Sequence, residues 1–253
     1  MNINKQNCPV RQQKNPDQGV YIEEILPGEI PGVSCHYLEI GPSVSYHLEA
    51  KKDHADILIC FEGTGTITHH DKEHVINEKV VFVPEPGSFS KLSGGNAHSL
   101  HILQLTFELT KADMKFLEDR REKLPWFLPY SESPSYREKI KSPRTISRTL
   151  VPENILPRFC LGSVETTGPD KVAPHAHPGL EQLFFGLAHN DVSVTADDAV
   201  TPFKAFDLLH IPLGSTHGVN VGKGKVLHYI WVDFFKTQEG IKHITDNHIP
   251  EGV

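Results

Sequence analysis

The sequence predicts an all-β protein made of two similar β-rich halves, and three observations carry that prediction. Short runs rich in Val, Ile, Phe and Thr recur along residues 34–109 and again along 158–235, each closed by Gly, Pro, Asn or Asp. That spacing belongs to sandwiches and barrels rather than to alternating strands and helices. With 19 Gly and 19 Pro, the chain has enough turn formers to reverse that often. The halves also resemble each other. Residues 100–107 (LHILQLTF) match 227–234 (LHYIWVDF), Val81-Phe82-Val83-Pro84 matches Leu209-His210-Ile211-Pro212, and 57–68 can be laid over 182–193.

Residues 1–18 are polar and read as an N-terminal arm. Residues 19–109 form the first β region. Within it Val44, Tyr46 and Leu48 alternate onto one face, and residues 56–61 make a short apolar strand closed by Glu62-Gly63. Residues 64–68 lead into the turn His69-His70-Asp71-Lys72, and residues 80–83 end at Pro84-Glu85-Pro86-Gly87. Residues 110–157 read as a connector. Thr110 and Asp113 suit a capping box ahead of a helix over 111–123, which Pro125 stops. A short helix is expected over 135–141. The second β region runs over 158–235, and a polar tail over 236–253 is expected to pack loosely.

Composition excludes several functions. The net charge of −7 argues against nucleic acid and anionic membrane surfaces, both of which need a basic face. No stretch approaches membrane-spanning length, and the start lacks the apolar core of a secretion signal. Cys8, Cys35, Cys60 and Cys160 are widely spaced and suggest no disulfide framework. A reduced, cytoplasmic protein is the expectation.

Chemistry concentrates in the second region. Residues 174–181 read PHAHPGLE and residues 212–217 read PLGSTH. On an extended chain His175 and His177 share a face. The turn at Pro178-Gly179 can reverse the chain and return the Glu181 carboxylate. His217 follows Pro212 and Gly214, which suit a tight turn. Three imidazoles and one carboxylate suit a divalent metal held through nitrogen and oxygen, with positions left open as a catalytic ion requires. On the last strand His228 shares a face with Ile230 and Val232, while Tyr229, Trp231 and Asp233 form the other. The sequence leaves open which face lines the interior. If the first does, His228 is a candidate proton shuttle; His101 at the matching place in the first half favours a structural histidine instead. His69, His70 and His74 around their turn, and His243 and His248 in the tail, read as solvated.

The spacing His175-x-His177-x-x-x-Glu181 resembles the first motif of the cupin superfamily, and Pro212-x-Gly214-x-x-His217 resembles the second. Ala188 stands where the family usually has glycine, and Asn220 comes one residue early. The resemblance covers about 159–235, and with the internal repeat it implies two tandem cupin (jelly-roll β-barrel) domains. It further implies one divalent transition metal (Mn, Fe, Ni, Zn or Cu) held by His175, His177, Glu181 and His217, a small-molecule substrate and a homodimer. Isomerases and lyases acting on carbohydrate-derived acids are the first expectation, with a dioxygenase or a non-catalytic small-molecule binder as alternatives. In the first half the overlay sets Ala50 and Lys52 opposite His175 and His177, Asp56 opposite Glu181, and Phe89 opposite His217. A metal-free N-terminal barrel is therefore expected.

Overall fold

A computed structural model describes residues 3–10 and 19–250; the rest of the expected arm and tail lies outside the described residues. The chain divides into two compact units, one of residues 8–132 and one of residues 133–253 together with 1–7. Each unit is a pair of antiparallel sheets, and among the described residues hydrogen bonding does not close either pair into a continuous barrel.

In the N-terminal unit the larger sheet runs Trp126–Pro129, Val80–Val83, His54–Glu62, Leu100–Glu108, Val33–Ile40 and Val20–Glu24. The smaller runs Ser45–Glu49, Phe89–Gly94, Gly65–His69 and Lys72–Ile76. Alternation along each strand sends one apolar set between the sheets. Leu38, Ile40, Leu58, Cys60, Phe82 and Ile102 of the larger sheet bury against Leu48, Ile67, Ile76 and Leu92 of the smaller.

The C-terminal unit repeats this plan. Its larger sheet runs Lys5–Asn7, Asp207–Ile211, Leu180–Gly186, Val226–Phe235, Phe159–Thr167, Ile146–Val151, Ser135–Arg137 and Ile249–Pro250. The smaller runs Asp170–His175, His217–Val221, Asp191–Ala196 and Ala199–Lys204. Between them lie Val172, Phe184, Val194, Phe203, Val219, Tyr229 and Trp231.

Four segments depart from expectation. The connector is not free-standing: its strand Trp126–Pro129 pairs with Val80–Val83, while everything from Ser133 belongs to the C-terminal unit. The helix spans only Lys111–Glu118, under the Thr110–Asp113 capping box, with a 3₁₀ turn at Arg121–Lys123. The helix expected over 135–141 is instead the strand Ser135–Arg137, paired with Ile146–Val151. The sheet edge there offers backbone partners that outweigh local helix preference. The tail is ordered too: Thr237 caps the helix Gln238–Asn247, which buries Ile244. All four cysteines are buried free thiols. No helix among the described residues is long and apolar enough to cross a membrane.

Candidate metal centre

Two strands of the smaller C-terminal sheet carry the histidines. Asp170–His175 pairs with His217–Val221 so that His175 lies directly opposite His217. A register irregularity before His175 frees the chain to carry His177 beyond the strand end onto the same group. The ligand-capable nitrogens of His175, His177 and His217 lie within 4.8 Å of one another. His175 Nε2 is 3.1 Å from His177 Nε2. The ring centroids of His175 and His217 are 4.4 Å apart, and those of His177 and His217 are 5.2 Å apart.

Backbone carbonyls set the tautomers. A carbonyl only accepts, so His175 Nδ1–H donates to Ala173 O at 2.8 Å and His217 Nδ1–H to Ser215 O at 3.3 Å. Each ring is thereby oriented with its unprotonated Nε2 toward the group, as in metal-ligating histidines; that of His175 faces His177 Nε2. His217 Nε2 and His177 Nδ1 are buried without a hydrogen-bond partner. Burial, followed by the neighbouring rings, drives the His177 pKa down to about 2, and burial drives that of His217 down to about 3. Burial lowers His175 as well. Three neutral imidazoles packed this closely at neutral pH form a donor set ready for a cation.

Glu181 does not join them. The strand Leu180–Gly186 is already extended at Leu180, so period-two alternation sends Glu181 to the opposite face, where its Oε2 lies 3.0 Å from His210 Nε2. The next residue, Gln182, faces the histidines' cavity in its place. Gln182 Nε2 donates to Asp233 Oδ1 at 2.6 Å, which fixes the amide and leaves Gln182 Oε1 buried without a partner. The same register, Gln182 opposite Asp233, decides the question left open on the last strand. Tyr229, Trp231 and Asp233 line the cavity. His228 lies on the other face, with Nε2 3.8 Å from Glu165 Oε2. Asp233, not His228, thus faces the cavity, and burial raises its pKa to about 7 against the hydrogen bond from Gln182.

The far wall is charged. Lys141 pairs with Glu138, whose Oε1 lies 3.5 Å from His248 Nε2, and His248 stacks on Tyr136 with centroids 4.1 Å apart. Burial pushes the Glu138 carboxyl up, but His248 and Lys141 more than offset it and hold the group well below the usual carboxylate range. These residues come from the connector and tail, which carry no motif; the alternating pattern of residues 135–137 was the available signal. His243 on the tail helix sets its ring edge-on to His177, centroids 5.1 Å apart. The tail histidines are therefore half-buried rather than solvated: His248 lines the cavity and His243 packs against His177. The free space left inside is about 20 Å³, room for an ion or one water-sized group.

Gly179 pins that cover. It sits at φ +62°, and its carbonyl accepts from the backbone N–H of Lys236 and Thr237. A Cβ there would come within 2.1 Å of Thr237 Oγ1, the helix cap. Gly179→Ala is expected to cost about 1–3 kcal/mol through backbone strain and a displaced cap. Thermal unfolding and hydrogen exchange of residues 238–247 would both report it; unchanged exchange would disprove the pinning.

No family model matches the sequence, and no curated protein matches it. Solved structures do. A Pseudomonas aeruginosa protein described as glyoxylate-induced aligns at TM-score 0.70 and 12% identity, over 87% of this chain and 82% of that one. A Lactobacillus farciminis oxalate decarboxylase in complex with formate aligns at 0.67 and 12%, over 87% and 82%. A cupin 2 conserved barrel domain protein from Leptotrichia buccalis aligns at 0.58 and 15%, over 86% and 89%. At these identities the likeness concerns the fold alone: two tandem cupin jelly rolls.

Proposed function

We propose that this two-cupin chain is a metal-dependent enzyme acting on a small carboxylic acid, with one divalent transition ion held by His175, His177 and His217 in the C-terminal unit. The observation that carries the reading is the convergence of three imidazoles, two of them buried with a ring nitrogen that nothing in the protein satisfies, His177 Nδ1 and His217 Nε2. A buried nitrogen left so is costly unless a ligand completes it. Gln182 lines the same cavity and its unpartnered Oε1 offers a neutral oxygen as a fourth donor. The ion supplies Lewis acidity toward a substrate oxygen.

The residues also point to the substrate's charge. Three imidazoles and an amide are neutral, and Asp233 offsets only one charge of a dication, while Glu138 is already paired with Lys141 and His248. A small anion is the natural complement. Asp233 lines the same cavity, and Gln182 Nε2 orients its carboxylate. From there it can take a proton from a carbon next to the substrate carboxylate and return it to a neighbouring one. Isomerisation needs that whole movement, and elimination needs its first half, with the proton passed instead to the group that leaves the next carbon, so an isomerase or lyase of carbohydrate-derived acids is the reading adopted.

The test is solvent deuterium exchange, followed by NMR, in a panel of sugar-derived and hydroxy acids incubated with metal-loaded protein. Exchange at a carbon beside the carboxylate is expected, and its loss in Asp233→Asn with metal retained. Free space for little more than an ion favours a second reading, a non-catalytic binder. Binding without exchange or conversion of any acid would establish that reading instead.

A further inference from the structure

We propose that the N-terminal unit carries its own metal site, formed by His69, His70 and Glu85 and suited to a borderline dication such as Zn²⁺ or Co²⁺. Sequence spacing hides it, because the carboxylate arrives from a turn 16 residues beyond His69. It is not a remnant of the C-terminal site. There His217 pairs with His175 and Ala196; here Ser90 pairs with Leu48 and His69. Ser90 is the inward residue at the place of His217, whereas Phe89, set there by the overlay, is 65% exposed. The matching positions thus hold Leu48 and Ser90, which do not chelate, and the imidazole comes from the neighbouring strand.

Four features prepare this group for a cation. His69 closes the strand Gly65–His69 with its ring inward, only 2% exposed, not solvated as the sequence suggests. Its Nδ1 lies 2.7 Å from Ser90 Oγ, the kind of outer hydrogen bond that orients a ligand imidazole, and its Nε2 meets Glu85 Oε2. The two-residue turn between His69 and Lys72 holds His70 at φ +51°, which returns its ring to within 4.3 Å of the His69 ring. His70 Nε2 then lies 3.5 Å from Glu85 Oε1, so each carboxylate oxygen faces one imidazole. Glu85 itself is fixed: it sits between Pro84 and Pro86, and its carbonyl accepts from both the N–H and the Oγ–H of Ser88, at 3.1 and 2.6 Å. Two imidazoles and one carboxylate within 4.8 Å, opening to solvent at His70, match the donors and openness of an accessible zinc-type site.

Metal stoichiometry tests this independently of the C-terminal site. Chelator-stripped full-length protein is titrated with Zn²⁺ by calorimetry and with Co²⁺ by visible absorption. His70→Ala, an exposed position that does not threaten folding, and the isosteric Glu85→Gln should each bind one equivalent fewer than the parent, or bind that equivalent at least about tenfold more weakly. If the C-terminal site takes no metal, the parent binds a single equivalent and both variants lose it, which still supports the proposal. Parent stoichiometry and affinity in both variants would overturn it, leaving His69–Glu85 as a hydrogen-bonded clasp.

Discussion

Replacing His177 with alanine is expected to lower Zn²⁺ or Mn²⁺ affinity at the C-terminal centre by at least about a hundredfold. Loss of an outer partner of a ligand already costs about 10–100-fold, and His177 is a proposed ligand. It reaches the other two rings from outside the regular strand, and the ring of His243 packs edge-on against it rather than among the three. Measured in a His70→Ala background, the titration reports this site alone. Glu181→Ala is the matched control. Its carboxylate faces His210 on the opposite side of the strand, so the affinity should not change. A large loss with Glu181→Ala and none with His177→Ala would reverse the assignment of the ligands. Gln182→Ala should fall between them, because it removes one neutral oxygen and frees Asp233 from the hydrogen bond of Gln182 Nε2.

How much of this was legible in the sequence differs from residue to residue. The two-sheet fold was readable because strand alternation and turn residues are local signals, and the repeat supplied a second copy of each. His175, His177 and His217 were legible as candidates for the same reason: the His-x-His spacing is a period-two signal, and all lie beside turns marked by Pro and Gly. The choice between Glu181 and Gln182 was not. It turns on the residue at which the chain becomes extended after Gly179, and a shift of one residue exchanges the faces. The same ambiguity hid Asp233 behind His228. Glu138, Lys141 and His248 were invisible for another reason: they lie at the edge of the sheet, in segments whose composition reads as linker and tail, and only the pairing of Ser135–Arg137 with its neighbours brings them to the cavity. Glu85 shows the limit most plainly, since nothing local connects it with a histidine 16 residues earlier.

Asp233→Asn should abolish proton exchange and yet make the metal-free protein more stable above neutral pH. The carboxyl is fully enclosed, and its pKa stands at about 7 against an ordinary value of 3.8. A raised folded-state pKa means that the native protein holds a proton the unfolded chain has released between those values. The protonated group therefore favours folding at low pH, and that advantage is lost as pH rises through about 7. Keeping this carboxyl buried then costs roughly 4 kcal/mol at pH 8, where it is ionised, and roughly 2 kcal/mol at pH 5, where it stays protonated while the unfolded chain's group ionises. Asparagine keeps an oxygen to accept from Gln182 Nε2 and carries no charge, so the variant avoids that cost. Chelator-treated parent and variant should diverge in urea midpoint as pH is raised from 5 to 8, with the variant ahead. Adding Zn²⁺ should narrow the gap, because a nearby dication favours the ionised carboxylate that only the parent has. A gap that is constant with pH would mean that Asp233 titrates like an ordinary surface carboxylate. The fold would then be keeping this residue for packing rather than for chemistry that costs it stability.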